Sequence, residues 1–209
     1  MLATRYYPSQ TKFPCFVQPK YDGVRCILNE GEDGGVHLTS RGGKEYDVPQ
    51  IKAWGEKYRD ALPLDGEIYN HKELTFQQIC SAVKCRSELT NKLRMVIYDT
   101  QISGSFSSRW KVLQDVFNDI PKDNPVYLTP TFIAHSEKDI ERWHKVFVAM
   151  GYEGAIIRNS DGVYTEGSSN DLMKLKTFDT TEFEVVDVLE AGGLDAGTAI
   201  FKLKVNGYE

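Results

Sequence analysis

Lys20-Tyr21-Asp22-Gly23-Val24-Arg25 is the stretch that decides how this sequence folds, because a lysine and an arginine flank a tight Asp-Gly turn. Cys15–Lys20 and Val24–Asn29 have the composition of two strands joined by this turn. Gly23 can adopt a positive φ and let a ligand approach the backbone closely. An amine nucleophile must be neutral, and a cation such as Arg25, partial burial or a bound metal favours that form. Taken alone, the pattern also fits an ordinary surface turn.

Four further segments combine charge with the end of a predicted strand. Lys174 and Lys176 lie two residues apart in such a strand, so both side chains point to the same face. Singly, each segment also fits solvated charge at a strand end. Strand ends of this kind can bring catalytic groups together in one cleft, so we expect a common site. The segments are Leu64–Glu67, Met95–Asp99, Glu153–Arg158 and Lys174–Lys176.

The remaining apolar pattern predicts an α+β fold in which hairpins are mixed with helices, not a regular βαβ series. Thr75 and Gln78 have capping-box spacing, and Ser136 with Asp139 opens another helix. The predicted helical faces are Ile51–Leu62, Phe76–Val83, Trp110–Ile120 and Ile140–Met150. Further strands are predicted at Val36–Ser40, Leu64–Tyr69, Met95–Tyr98, Ala155–Arg158, Leu172–Lys176, Phe183–Leu189 and Ala199–Val205.

Composition limits the function classes. The 209 residues are 41% hydrophobic and 26% charged, which is typical of a soluble globular protein with one full domain and part of a second. No apolar run is long enough to span a bilayer. The net charge of −5 is unusual for a nucleic-acid binder, although a local basic groove can lie on an acidic body. The four cysteines lack zinc-ligand spacing and are predicted to be reduced thiols of a cytosolic protein.

In this order and at this spacing, the five charged segments resemble motifs I, III, IIIa, IV and V of the covalent nucleotidyltransferases. That superfamily contains ATP-dependent DNA ligases, RNA ligases and mRNA capping enzymes. The resemblance covers about residues 15–178, and Ser40-Arg41-Gly42 matches a further segment of similar ligases. It implies a nucleotidyltransferase (ATP-grasp-like) adenylation domain of antiparallel sheets flanked by helices.

The resemblance also implies the catalytic roles. Lys20 would attack the α-phosphate of ATP and hold AMP as a phosphoramidate. Lys174 and Lys176 would contact the α-phosphate and stabilise its transition state. Glu67 would hold the ribose or help to place Mg²⁺ or Mn²⁺, and Glu153 would be a carboxylate of the metal site.

The same resemblance implies residues that bind the nucleotide and the nucleic acid. Gln18 lies where similar enzymes contact the adenine, and Tyr98 would stack on the adenine ring. Arg25 and Arg41 would contact phosphates, including the 5′-phosphate of a nick. The expected cofactors are therefore ATP and a divalent cation, and the expected partner is nicked duplex DNA.

Motif IV, E-G-A-I-I-R, and motif V, K-L-K, resemble the DNA ligase versions, so a DNA ligase is the preferred interpretation. An RNA ligase and an mRNA capping guanylyltransferase are the alternatives within the superfamily. The alternative of a different functional class is a silent nucleotide-binding or scaffold protein that kept the fold and lost turnover. Uptake of label from α-labelled ATP would separate the scaffold from the enzymes.

The ends of the chain lead to expectations about its organisation. We expect an adenylation domain over residues 1–178 and the beginning of a truncated OB-fold domain over 179–209, because Thr181–Val188 resembles the start of that domain. Basic motif VI of the OB fold is not found in the sequence. The 19 residues before Lys20 leave no room for a helical DNA-binding domain. These features predict a compact viral, phage or bacterial ligase, monomeric, in the cytoplasm of a bacterium or an infected cell.

Overall fold

The computed structural model describes residues 1–176, 182–193 and 196–205. The chain divides into two units, Met1–Thr177 and Phe178–Glu209. The described strands are β1 Leu2–Arg5, β2 Cys15–Lys20, β3 Val24–Glu30, β4 Val36–Thr39, β5 Leu64–Tyr69, β6 Arg94–Thr100, β7 Val126–Leu128, β8 Phe132–Ala134, β9 Gly154–Asn159, β10 Ser168–Lys176, β11 Glu184–Glu190 and β12 Ala199–Lys204. The described α-helices are α1 Pro49–Lys57, α2 Phe76–Lys84, α3 Phe106–Asn118 and α4 Glu137–Ala149.

The first unit contains two five-stranded sheets, which we call the lysine sheet and the arginine sheet. The lysine sheet has the strand order β1-β10-β9-β2-β8, and the arginine sheet has the order β4-β3-β5-β6-β7. Neighbouring strands are antiparallel except in the pairs β1–β10 and β6–β7, which are parallel. The Asp-Gly turn carries the chain from β2 in one sheet to β3 in the other. This α+β arrangement of sheets flanked by helices confirms the predicted fold class.

Each sheet packs one face against helices. In the lysine sheet, Val17 and Ile157 are buried in a core that also contains Ile140 and Phe147 of α4. In the arginine sheet, alternate residues join a larger core with helices α1 to α3. Members of this core include Cys26, Leu28, Leu64, Ile68, Ile97, Ile51, Trp54, Ile79, Phe106 and Leu113. Because side chains alternate along a strand, the polar residues between these apolar ones share the opposite face.

Helix starts follow the predicted chemistry. Thr75 accepts a hydrogen bond from the Gln78 amide, and the Gln78 side chain closes the capping box. Ser136 caps α4 by accepting from the Asp139 amide. The predicted helix over Ile51–Leu62 is shorter than expected: α1 ends at Lys57, and a short 3₁₀ turn follows it.

The sequence did not predict three of the strands, and it predicted a fourth strand with a start that is too late. β1, β7 and β8 contain four, three and three residues and lie at sheet edges. Their pairing partners come from distant segments, so no local pattern marks them. β10 begins at Ser168, before the predicted start at Leu172, because its polar first half pairs with β1.

In the second unit, the described residues include an antiparallel pair of strands, β11 and β12, in which every residue is exposed. The predicted domain boundary after residue 178 lies outside the described residues. The interpretation of this unit as the beginning of an OB fold stays a prediction. Within the described part of the chain, no helix is both long and apolar enough to cross a membrane.

Candidate active site

A cleft of about 460 Å³ lies in the first unit, and both sheets contribute to its walls. Seven of the nine predicted site residues line it: Gln18, Lys20, Arg25, Arg41, Glu67, Tyr98 and Lys174. Glu153 and Lys176 do not line the cleft but reach it through contacts with Lys20 or with each other. Segments far apart in the chain therefore contribute to one cleft. Lys20 ends β2 and Glu153 directly precedes β9, whereas Glu67 and Lys174 lie within β5 and β10 and not at their ends.

The Glu153 carboxylate joins two lysines. It contacts the ammonium groups of both Lys20 and Lys176. Burial by itself would raise the pKa of Glu153, but hydrogen bonds from Lys176 and Lys20 outweigh it and lower the pKa. Glu153 is therefore an ionised carboxylate at neutral pH, held against the proposed nucleophile.

Two glycines near Lys20 and Glu153 allow neighbouring strands to approach closely: Gly23, in the turn after β2, and Gly154, the first residue of β9. A Cβ on Gly154 would lie 2.1 Å from the Leu175 carbonyl oxygen, so only glycine lets β9 pair with β10 directly after Glu153. Gly23 also allows a close approach of the backbone, but not through the positive φ that the sequence led us to expect. Its backbone is not left-handed; instead, a Cβ would lie 2.4 Å from the Ile68 carbonyl oxygen of β5.

Arg25 is held by its own sheet and by neighbouring segments. Its Nε and Nη2 atoms donate to the two oxygens of Asp65 at 2.9 and 2.7 Å. Nη1 donates to the Met1 carbonyl oxygen at 2.6 Å, and Nη2 also donates to the Tyr164 hydroxyl at 3.1 Å. The charge of Arg25 is thus compensated by a buried carboxylate, which weakens the expected action of this cation on Lys20.

Glu67 lies across the cleft from the lysine sheet. Burial raises its pKa to about 8, with Lys20 and Arg25 opposing the rise and Asp65 adding to it. The Tyr98 hydroxyl lies 3.5 Å from a Glu67 oxygen, at the limit of a hydrogen bond. With this raised pKa, Glu67 is largely a neutral carboxyl group at pH 7, and it can donate as well as accept a hydrogen bond.

Gln18 is almost fully buried at one end of the cleft. Its Nε2 donates to the Tyr98 carbonyl oxygen and to the Thr131 hydroxyl, at 3.3 and 3.0 Å. Its Oε1 accepts from Arg158 Nε at 2.8 Å. The amide donors of Gln18 are therefore committed to the protein, and only its oxygen has capacity for a ligand.

Beneath Gln18 lies a buried ionic network. Asp99 accepts from Arg158 Nη1 at 2.7 Å and from Arg109 at 2.7 and 3.1 Å. The Arg158 guanidinium also lies over the Tyr98 ring, 5.5 Å from its centroid. Since β6 carries Asp99 and β9 carries Arg158, this network ties the two sheets together below the cleft.

Two predicted phosphate contacts remain available. Arg41 follows β4 in an exposed loop, and Lys174 projects from β10 into the cleft. Within the described ranges, neither side chain forms an ion pair. Both are therefore free to meet an anionic ligand.

Among the described residues, no group of three His, Cys, Asp or Glu side chains could hold a metal ion by itself. The carboxylates near the cleft are paired, as in Asp65 and Glu153, or have a raised pKa, as in Glu67. This donor set does not fit a resident metal. It fits a cation that brings phosphate and water ligands and takes one or two protein carboxylates, as Mg²⁺ commonly does.

Three residues of the site were missed as functional from the sequence. Asp65 and Arg158 stood in the charged segments, but only their geometry reveals that one holds Arg25 and the other holds Gln18. Tyr164 lies in the polar segment between β9 and β10 and had no signal at all. A tyrosine in a polar segment is common, and only the hydrogen bond from its hydroxyl to Asp65 distinguishes this one.

A family model and several curated proteins match this sequence. A family model described as an ATP-dependent DNA ligase domain matches residues 1–176. The DNA ligase of African swine fever virus (isolate Warthog/Namibia/Wart80/1980) is 29% identical over 199 residues, covering 88% of this chain and 47% of that ligase. The DNA ligase of enterobacteria phage T6 is 22% identical, covering 99% of this chain and 55% of that ligase. The chain thus spans about half the length of the curated relatives it matches.

Solved structures match nearly the whole length of the chain. A Lig E DNA ligase structure has a TM-score of 0.80 and 22% identity, covering 99% of this chain and 79% of that chain. The Chlorella virus DNA ligase–adenylate has a TM-score of 0.69 and 21% identity, covering 100% of this chain and 78% of that chain. At such identities the likeness establishes the fold.

Proposed function

Because this chain belongs to the ATP-dependent DNA ligase domain family, we propose that it seals nicked duplex DNA with ATP as the adenylate donor. The observation that supports this most directly is Lys20 in the wall of a nucleotide-sized cleft, touching the carboxylate that also touches Lys176. An isolated surface lysine would not line a cleft, and it would not share a carboxylate with a second lysine.

In the first step, Lys20 Nζ forms a bond to the α-phosphorus of ATP while the bond to the pyrophosphate oxygen breaks. The ammonium of Lys20 must lose its proton before this attack, and the touching Glu153 carboxylate offers the nearest acceptor. Negative charge grows on the α-phosphate oxygens, where Lys174 and Lys176 can stabilise it. The 5′-phosphate of the nick then takes AMP from Lys20, and the 3′-hydroxyl displaces AMP to join the strand.

The base end of the cleft favours adenine. Gln18 offers an oxygen lone pair, since its amide donors are occupied. Arg158 offers Nη2 donors, because this nitrogen has no hydrogen bond within the part of the chain that the structure describes. An acceptor beside a donor matches the N6 amino group and N7 of adenine, whereas guanine presents two acceptors, O6 and N7, on that edge. Tyr98 supplies an aromatic face for stacking.

Mg²⁺ or Mn²⁺ is proposed to arrive with the triphosphate, since the protein lacks a complete ligand set of its own among the described residues. When bound, such a cation would neutralise phosphate charge and act as a Lewis acid. Glu153 is the ionised carboxylate that can contribute to its ligands. Glu67, with its raised pKa, is better suited to hold a ribose hydroxyl.

The DNA contact is proposed to involve Arg41 and Arg25 through phosphate groups. A monomer acting in the cytoplasm of a bacterium or an infected cell stays a prediction. An RNA ligase, a capping guanylyltransferase and a silent scaffold are not favoured, since the curated relatives named above are DNA ligases.

The test is covalent labelling by α-labelled ATP with Mg²⁺, read by intact mass spectrometry and gel autoradiography. We expect a lysyl-AMP adduct that is lost in Lys20→Ala and kept in Lys12→Ala, a surface lysine paired with Asp161. GTP and NAD⁺ serve as alternative donors, and nicked duplexes of DNA and RNA as acceptors. An adduct that survives Lys20→Ala, or the absence of any adduct, would overturn the proposal.

A further inference from the structure

We infer that Tyr164 is a positioning residue that fixes the Arg25 guanidinium for contact with a phosphate of the nick. This inference rests on the proposed function, because it assigns Arg25 to the DNA-dependent steps. It concerns a residue outside the five charged motifs, in the segment between β9 and β10.

The Tyr164 hydroxyl completes a three-membered arrangement with Arg25 and Asp65. It accepts a hydrogen bond from Arg25 Nη2 at 3.1 Å and donates one to Asp65 Oδ2 at 2.7 Å. Burial, followed by the charge of Asp65, raises the pKa of this hydroxyl, so it stays protonated and remains a donor. The carboxylate and the hydroxyl thus hold the same edge of the guanidinium.

The hydrogen bonds of Arg25 define how it can meet a ligand. A guanidinium has five N–H donors. Nε uses one on Asp65, Nη1 uses one on Met1, and Nη2 uses both of its donors on Asp65 and Tyr164. One Nη1 donor is left for a phosphate, while the others fix the plane of the group. Without the hydroxyl, one Nη2 donor loses its partner, and among the described residues Arg25 is held by Asp65 and Met1 alone, so its orientation loosens.

A second cleft, of about 360 Å³, places this arrangement where a nucleic acid can reach it. Its lining includes Arg25, Arg41, Ser40, Gln101 and Tyr164, and it shares both arginines with the nucleotide cleft. Tyr164 therefore lines a cleft together with the two cations proposed to contact DNA, and the lining of this cleft does not include Gln18 or Tyr98.

Arg109 on α3 contacts both the Tyr164 ring and the backbone of the segment that carries it. The Arg109 guanidinium lies over the Tyr164 ring, 5.7 Å from its centroid, and donates to the Gly162 carbonyl oxygen at 3.1 Å. Arg109 is almost fully buried and anchored on Asp99. Because these contacts use the ring and the backbone, Tyr164→Phe removes only the hydroxyl and leaves the support of the loop in place.

The test compares Tyr164→Phe with the wild type in single-turnover assays of two steps, lysyl-AMP formation and sealing of a nicked duplex by adenylated protein. We expect sealing to slow by about tenfold, the usual effect of losing a hydrogen bond to a charged group, and lysyl-AMP formation to slow by much less. Tyr58→Phe, whose ring packs on Trp54 away from the cleft, is the matched control and should match the wild type in both steps.

Two further measurements separate positioning from a merely structural role. In an Arg25→Lys background, which lacks Nη2, adding Tyr164→Phe should have no further effect on sealing; an independent effect of full size would overturn the inference. Exchange of the Arg25 Nε–H with solvent, followed by NMR without any substrate, should accelerate in Tyr164→Phe and not in Tyr58→Phe. Unchanged exchange would also overturn it.

The outcomes distinguish the inference from the function on which it rests. If the wild type adenylates but seals no DNA nick, the proposed function fails, while the exchange measurement still decides the role of Tyr164. If the wild type seals and Tyr164→Phe seals equally well, the function stands and the inference fails.

Discussion

Glu153 is attached to Lys20 twice: its carboxylate contacts the Lys20 ammonium, and its backbone amide donates a 3.0 Å hydrogen bond to the Lys20 carbonyl oxygen. The backbone bond fixes the separation of β2 and β9 at the point where the side chains meet. Lys20 is therefore held by the sheet as well as by charge, which limits the positions its amine can occupy. Such restriction is a large part of how enzymes accelerate a displacement.

Glu153→Gln should slow lysyl-AMP formation by at least about 100-fold, because it removes the charge and the proton acceptor at Lys20. The amide has nearly the same shape, so folding should be retained. The rate can be followed by intact mass spectrometry after mixing with ATP and Mg²⁺. Glu141→Gln on the exposed face of α4 is the matched control. A Glu153→Gln rate within a few-fold of this control would contradict the assignment.

Tyr98→Ala should weaken ATP binding by about fivefold or more, whereas Tyr98→Phe should leave it close to the wild type. An aromatic stack contributes roughly 1 kcal/mol beyond buried area, and the hydroxyl makes only a marginal contact with Glu67. Calorimetry in a Lys20→Ala background would measure binding without chemistry. Equal losses in the Phe and Ala variants would show that the hydroxyl, not the ring, holds the nucleotide.

Asp99→Asn should lower the free energy of unfolding by about 3–5 kcal/mol, because it leaves Arg109 and Arg158 buried without a carboxylate. Asp115→Asn is the matched control. Asp115 pairs with Lys111 at 3.6 Å on the exposed face of α3, where an ion pair contributes little. Urea denaturation measures both variants. Similar losses in the two would mean that the buried network adds no more than a surface pair.

Glu67 should make stability fall as pH rises. Its pKa is about 8 in the folded protein against an ordinary value of 4.5, so between these values the folded state keeps a proton that the unfolded state releases. The contribution of Glu67 to the free energy of unfolding is full below its pKa in the unfolded chain. It is lost as the pH rises through its pKa in the folded protein. Glu67→Gln should therefore be less sensitive than the wild type to a change from about pH 5 to about pH 8. Parallel pH profiles of the free energy of unfolding in the two proteins would refute this.

Local sequence patterns determined most of the secondary structure, whereas the resemblance of five motifs to a known superfamily predicted which residues form the site. The apolar runs at the charged motifs are long enough to form strands, so Lys20, Glu67, Tyr98 and Lys174 could be placed in strands from the sequence, although of these only Lys20 lies at the end of one. Helix starts were equally local, since the capping box of Thr75 and Gln78 involves residues three positions apart. The roles assigned to these site residues stay predictions.

Only the tertiary structure decided which charges are paired. Asp65 holds Arg25 across 40 positions of sequence, and Glu153 meets Lys20 across 133. Tyr164 reaches Asp65 across 99 positions. A buried charge must find a partner, but the order and register of the strands determine which partner lies within reach. Local patterns predict strands and the faces they expose, whereas these pairings depend on contacts between segments far apart in the chain.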